Sequence, residues 1–152
     1  MNARDFSLYA HGKQTYGGHP FIVHLDAVAA VLREAGFSGP IMDAAYLHDS
    51  LEDSPVTMEE IETFFGQEVG ELVWAVTGVG ETRKERNASI YQKLAACKSA
   101  RDLKAADRIA NLEAQGSGNL RATYVREHEE FLAAIYGAHP ALLARLAQAM
   151  AL

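Results

Sequence analysis

Four residues in this sequence share one kind of chemistry and fall where a protein interior should be: His24, His48, Asp49 and Asp107. His24 sits inside the apolar stripe Phe21–Val28–Val31, and His48 sits among Ala44, Leu47 and Leu51 and is followed at once by Asp49. Asp107 shares a helical face with Leu103, Ala106 and Ala110, and Asn111 follows one turn later. A single histidine on such a face is ordinarily a hydrogen-bonded core residue, and a single aspartate in a helix is ordinarily a cap or a surface charge. An unpaired carboxylate in an apolar interior, however, neutralises or finds a partner. Two imidazoles and two acids on three helices partner best through a cation. That mixed nitrogen and oxygen set suits Mn²⁺, Fe²⁺ or Zn²⁺, whereas Ca²⁺ and Mg²⁺ favour oxygen alone.

The adjacent pair His48-Asp49 adds a geometric condition. Consecutive helical residues diverge by ~100°, so both converge on one point only where a helix ends. Pro55, which disfavours helical geometry at Ser54, supplies that end just downstream. Glu52 and Asp53 lie four residues after His48 and Asp49, one turn along the same faces. Acids stacked at a helix C-terminus oppose its dipole, and a cation or a substrate proton offsets that cost. Glu52 and Asp53 therefore join the candidate site.

The elements that must hold these residues read as helices throughout. Phe21 to Ala35 follows the i, i+3, i+4, i+7 rule, opened by Pro20 and closed by Gly36. A second helix is expected from about Ile41 to Leu51, and a third from Thr57, which forms a capping-box pair with Glu60 and ends at Phe64-Phe65-Gly66. The next uses Val69, Leu72, Val73 and Val76 and breaks at Gly78-Val79-Gly80. Glu81 to Arg86 reads as a solvated charged loop, Asn87 as the cap of a helix through Ala96, and Ser99 with Asp102 as the cap of one from Ala100 to about Gln115. Gly116-Ser117-Gly118 breaks the chain, and helices from Leu120 to Tyr136 and from Pro140 onward complete it. The expectation is a single all-α domain of seven to nine helices over residues 1–152. Its last two helices form either a cap on the rest or a homodimer interface.

Composition narrows the function classes. A chain of 152 residues with 49% hydrophobic and 22% charged residues supports one ordinary globular core. The net charge of −6 argues against a nucleic-acid-coating surface. Lone Cys97 excludes disulfide frameworks and multi-cysteine zinc sites and makes a reducing, cytoplasmic setting the expectation. The N-terminus lacks the apolar segment of a signal peptide, and the longest apolar run, Ala27 to Leu32, is far short of the ~20 residues that span a bilayer. Gly78-Val79-Gly80 has Arg83 where a dinucleotide fingerprint needs glycine, no phosphate-binding Gly-x-x-x-x-Gly-Lys exists, and the segment after His128 lacks a zincin's second histidine.

Taken in order, the motifs resemble the HD superfamily of metal-dependent phosphohydrolases, and more narrowly the alarmone-hydrolase domain of RelA/SpoT homologues and their small stand-alone relatives. The matching stretches are Tyr9-Ala10-His11 with Gln14, Gly18 to His24, Ala44 to Asp53, Phe65-Gly66 with Val69 and Leu72-Val73, Val76-Thr77, and Lys104 to Arg108 with Asn111-Leu112. They run collinearly from about Phe6 to Gln115. The resemblance implies an HD-type helical bundle and a metal, usually manganese, on His24, His48, Asp49 and Asp107. It implies that Glu52 and Asp53 position or activate water and that Asn111 helps hold the site. The implied reaction removes pyrophosphate from the 3′ position of guanosine tetra- or pentaphosphate. With no synthetase segment following, only the hydrolase direction is implied.

One segment departs from that pattern. Alarmone hydrolases usually carry a basic run after the glutamine, and here Thr15-Tyr16-Gly17 stands in its place. Tyr16 either stacks on a base or packs locally as a turn residue. Lys104 and Arg108, beside Asp107, are the better candidates for phosphate contact, and Tyr124 and Arg126 are candidates for the nucleotide side. Arg83, Lys84, Arg86 and Arg121 are further cationic candidates, with the 83–86 stretch read first as a solvated loop. His11, His128 and His139 are assigned structural or surface roles. Three readings stay open at this point: an alarmone hydrolase, an HD phosphohydrolase acting on a nucleoside monophosphate or a phosphorylated dinucleotide cofactor, and a catalytically dead nucleotide-binding protein.

Overall fold

The computed structural model describes residues 1–114 and 118–151, with the backbone alone at 118 and 119. Asn2 opens α1 (Ala3–His11) by accepting from the Asp5 N–H at 2.8 Å. A small antiparallel pair follows, β1 (Thr15–Tyr16) and β2 (His19–Pro20), with Tyr16 opposite His19. Gly17 and Gly18 form its two-residue turn with φ of 55° and 83°, and a tight hairpin needs positive φ at both positions. This pair is too short to show an alternating pattern, which is why an all-helical reading of the sequence passes over it.

The chain then enters α2 (Ile22–Glu34) and α3 (Pro40–Leu47), the latter opened by Pro40. A four-residue turn, α4 (Ser50–Asp53), comes next, followed by α5 (Met58–Phe65) and α6 (Gln67–Ala75). The reciprocal Thr57–Glu60 capping box at α5 is present as expected. The helix expected from Ile41 to Leu51 is thus divided at His48-Asp49, where Asp49 adopts φ −100° and ψ 0°.

Two boundaries differ from expectation further on. α7 (Arg83–Leu94) begins four residues before Asn87, because Thr82 accepts from the Glu85 N–H at 3.1 Å and caps it. α8 (Lys98–Glu113) begins at Lys98, so Ser99 and Asp102 lie inside the helix and cap nothing. α9 (Gly118–Ala134) and α10 (Pro140–Ala151) complete the described chain. The expected break at 116–117 and the helix end at Gln115 lie outside the described residues. Ten helical segments are described, the shortest being α4, and none is long and apolar enough to cross a membrane.

The central element is α8, of whose 16 residues 11 are buried. Ala100, Ala105, Ala106 and Ala110 keep its surface low, so α2, α6 and α10 approach it closely. Phe131 and Ile135 near the end of α9, and Leu142 and Leu146 of α10, join the same hydrophobic cluster as α2 and α8. Burial on this scale contributes roughly 1.5–3 kcal/mol for each large apolar side chain, so the framework around α8 is the stable part of the fold.

Asp102, misread as a cap, has a different task. It is buried, and its Oδ1 accepts the His139 N–H at 2.7 Å, pinning the α9–α10 turn onto α8. Asp102→Ala leaves that amide without its acceptor, at a cost of about 2 kcal/mol. At roughly 2–4 °C per kcal/mol for a chain of this size, Tm falls by about 4–8 °C, measured by thermal denaturation.

Candidate metal centre

α2, the α3–α4 junction and α8 meet at one point. Asp107 Oδ1 lies 3.0 Å from His24 Nε2 and 3.1 Å from His48 Nε2. Asp49 Oδ2 lies 3.1 Å from His48 Nε2 and 3.8 Å from His24 Nε2. His24, His48 and Asp107 are buried and Asp49 is partly so. The junction explains how two neighbours converge. His48 still has helical dihedrals, but Asp49 turns the chain before α4 begins, and both side chains then point at α8.

The donor set fits a divalent cation on its own chemistry. The His48 Nδ1–H donates to the Ala45 carbonyl at 2.7 Å, which orients the ring and makes Nε2, facing the two carboxylates, the nitrogen that a cation would use. The ligating atoms of His24, His48 and Asp49 all lie within 4.8 Å of one another, and Asp107 Oδ1 contacts both imidazoles. Burial opposes charge on His48, yet Asp49 and Asp107 outweigh it and push the imidazole upward. Burial likewise works against the Asp107 carboxylate, which Lys104 and the two histidines hold well below its ordinary range. Two carboxylates packed against two imidazoles in a largely buried space form a donor set that a divalent cation would stabilise.

Around this point runs a polar cleft of about 200 Å³. Its lining brings three acids, Asp49, Glu52 and Asp107, together with four cations, Arg83, Arg86, Lys104 and Arg108. Lys104 Nζ is 3.2 Å from Asp107 Oδ2. Arg108 is buried between the Tyr124 and Phe131 rings, its Cζ 3.7 Å and 3.9 Å from their centroids. Glu127 receives both Arg83 nitrogens at 2.7 Å and 2.9 Å, Arg108 Nη2 at 3.3 Å and Asn87 Nδ2 at 3.1 Å. One carboxylate from α9 therefore fixes groups from α7 and α8 against the cleft. Burial raises the Glu52 pKa, with neighbouring Asp49 adding to the rise, while the Gly78 N–H that Oε1 accepts works against it.

Residues 3–136 match the HD domain family. The chain belongs to that family. It is 39% identical over 120 residues to the guanosine-3′,5′-bis(diphosphate) 3′-pyrophosphohydrolase of Aquifex aeolicus, a match that covers 74% of this chain and 17% of that relative. It is 34% identical over 119 residues to MESH1, the mouse protein of the same enzyme name, covering 74% of this chain and 66% of that one. The chain thus spans about a sixth of the length of the bacterial relative. Among solved structures, it is similar to a metazoan ortholog of SpoT described as hydrolysing ppGpp, with a TM-score of 0.86 and 23% identity, over 98% of this chain and 92% of that one. The all-α HD fold is therefore established, and divalent-metal dependence goes with the family.

Not every candidate reaches the HD cleft. His24, Asp49, Asp107, Glu52, Asn111, Tyr16, Lys104, Arg108 and Tyr124 line it, and His48, buried behind them, reaches Asp107 Oδ1 with its Nε2. Arg126 does not: it is exposed and donates to Thr123 Oγ1 at 3.2 Å. Arg121 also serves structure, donating to the Leu112 and Ala149 carbonyls. Asp53 lies off the cleft wall beside Gln14 and His11, and burial raises its pKa while the Gln14 hydrogen bond opposes the rise. Arg83 and Arg86, read first as solvated loop, and Asn87, expected only as a helix cap, also line the cleft. The signal was present: Thr82-x-x-Glu85 is a capping-box spacing, and a helix starting there puts 83, 86 and 87 on one face.

His48→Ala and Asp107→Ala each remove a donor that three neighbours need. Either variant should retain less than a tenth of the wild-type divalent metal, measured by elemental analysis after desalting. Undiminished metal content in both would show that the ion binds elsewhere.

Proposed function

We propose that this HD domain is a divalent-metal phosphohydrolase that cleaves a nucleotide pyrophosphate ester, with guanosine 3′,5′-bis(diphosphate) as its leading substrate and Mn²⁺ as its metal. The observation that carries the proposal is the convergence of two imidazole nitrogens and two carboxylate oxygens beside a cleft whose lining also holds four cations. The names of the relatives point to the same reaction.

Hydrolysis forms a P–O bond from water and breaks the bond between phosphorus and the 3′ oxygen, releasing pyrophosphate. A divalent cation held by His24, His48, Asp49 and Asp107 would supply Lewis-acid chemistry, acidifying water from pKa ~15.7 toward ~7 at best, which is up to roughly 11 kcal/mol at ~1.36 kcal/mol per unit. Glu52, aimed by the Gly78 amide and raised in pKa, accepts a proton from the attacking water. Arg83, Arg86, Lys104 and Arg108 hold the phosphate oxygens of the pyrophosphoryl group as it passes to water and oppose the charge that builds there, while the 3′ oxygen of the nucleotide departs and takes up the proton lost by water. Asn111 steadies Asp107 through its Nδ2, 3.4 Å from Oδ1.

A second reading, hydrolysis of a different nucleotide, is favoured by Tyr16-Gly17 standing in place of a basic run. A substrate panel with the Mn²⁺-loaded protein separates the two. Release of pyrophosphate and guanosine 5′-diphosphate, read by anion-exchange chromatography, supports the alarmone. An intact alarmone beside a cleaved nucleoside monophosphate or phosphorylated dinucleotide supports the second reading. Tight nucleotide binding with no turnover of any substrate removes both. Glu52→Gln should keep full metal content and lose about 10²-fold or more in kcat, and an unchanged kcat would show that this acid moves no proton.

A further inference from the structure

Tyr16 reaches the centre from outside the helical bundle, on β1. Its hydroxyl donates to Asn111 Oδ1 at 2.6 Å. Its ring stacks on His24, with centroids 4.8 Å apart and planes 27° from parallel. Asn111 Nδ2 lies 3.4 Å from Asp107 Oδ1, the oxygen that also faces His24 Nε2 at 3.0 Å. These contacts close on themselves: tyrosine to asparagine, asparagine to aspartate, aspartate to histidine, histidine back to tyrosine.

The amide is the sensitive member of that ring. The two ends of an asparagine amide are alike in shape and opposite in hydrogen-bonding character. The Asp107 carboxylate only accepts, so it takes the Nδ2 end, and the Tyr16 hydroxyl, donating to Oδ1, holds the amide in that orientation. Tyr16 is also the wall between two spaces, the polar cleft of about 200 Å³ and an apolar cavity of about 380 Å³ lined by Val23, Ala27, Val31 and Ala110. One face of its ring is taken by His24 and its hydroxyl by Asn111.

We infer that Tyr16 is a positioning residue of the metal centre, setting the Asn111 amide and the His24 ring, and is not the platform for a base. The inference rests on reading the four-donor cluster as a metal site. It assigns to β1, a strand of the short hairpin, the task of bracing α2 against α8 at the metal site.

Calorimetric titration of metal-stripped protein with Mn²⁺ tests it. Tyr16→Phe keeps the ring on His24 and removes only the hydroxyl. It should weaken Mn²⁺ binding by roughly tenfold, at the low end of what outer partners of metal ligands contribute. In an Asn111→Ala background the same change should alter Mn²⁺ affinity by less than about twofold, because its route of action is gone. With a cleaved substrate in hand, Tyr16→Phe lowers kcat at limiting Mn²⁺ while KM stays within about twofold. Wild-type Mn²⁺ affinity in Tyr16→Phe, or losses that simply add in the double variant, overturns the inference. So does a Tyr16→Ala protein with a raised KM and undisturbed metal binding, since that is the behaviour of a base platform. A wild type that takes up no Mn²⁺ overturns it together with the metal reading. If the coupling in metal affinity is found and no nucleotide is hydrolysed, the positioning role stands and the hydrolase proposal falls.

Discussion

Two carboxylates and two imidazoles occupy a space from which water is largely excluded, and the rest of the molecule is arranged around that electrostatic problem. Asp107 lies on the most buried helix of the fold, where an isolated carboxylate would cost several kcal/mol. Lys104 meets one of its oxygens, and the other faces two imidazole nitrogens whose protons have been assigned elsewhere or must be displaced. For His48 the Ala45 carbonyl accepts the Nδ1–H, so Nε2 is the nitrogen that gives up its proton to a cation. A divalent cation satisfies all four donors at once. Protons satisfy them only in part, because each proton that charges an imidazole still leaves Asp49 and Asp107 sharing a small volume.

The backbone solution is a break in a helix. If α3 ran on without interruption through Asp53, His48 and Asp49 would point ~100° apart and one of them would leave the site. Turning at Asp49 and restarting at Ser50 brings both to α8 and delivers Glu52 to the cleft mouth. The same restart sends Asp53 toward Gln14 and His11. Two acids that look equivalent along the chain are thereby given different surroundings, and only one of them lies on the cleft wall.

How much of this is legible in the sequence depends on whether an element is encoded by its own residues or by distant ones. The helices that carry His24 and Asp107 are locally encoded, by apolar periodicity and by punctuation at Pro20 and Gly36. The polar residues on their faces are anomalous enough to be noticed. That His48 and Asp49 need a helix end to converge is legible, but Pro55 points to an end downstream, whereas the structure breaks the helix at Asp49 itself. The hairpin of Tyr16 has only two residues per strand, too few to show a period. The α7 arginines were hidden by composition: a stretch as charged as 81–86 resembles solvent-exposed loop, and only the Thr82–Glu85 cap distinguishes it from one. Arg126 shows the converse, since position along α9 alone does not reveal that Tyr124 turns inward while Arg126, two residues on, faces solvent. Asp102 has the spacing of a cap, but its partner is the amide of a residue 37 positions away, and no local pattern reports that.

The charge pattern of the cleft also answers how a protein of net charge −6 can receive a polyanion. Screening limits the reach of exposed charge to ~8 Å at physiological ionic strength, so a ligand in the cleft responds to its walls more than to the total. Those walls carry three acids and four cations, and an ion at the metal centre would shift the balance further toward positive. Holding Arg83 and Arg108 on Glu127 reduces their net charge but also fixes where their remaining N–H groups point. Such a wall gives up some long-range attraction in exchange for defined direction. Direction is what a hydrolytic site requires, because phosphate oxygens must be held while one particular bond is broken. The acidic remainder of the surface then repels polyanions wherever the cleft is not, and a small phosphorylated ligand suits this arrangement better than an extended nucleic acid does.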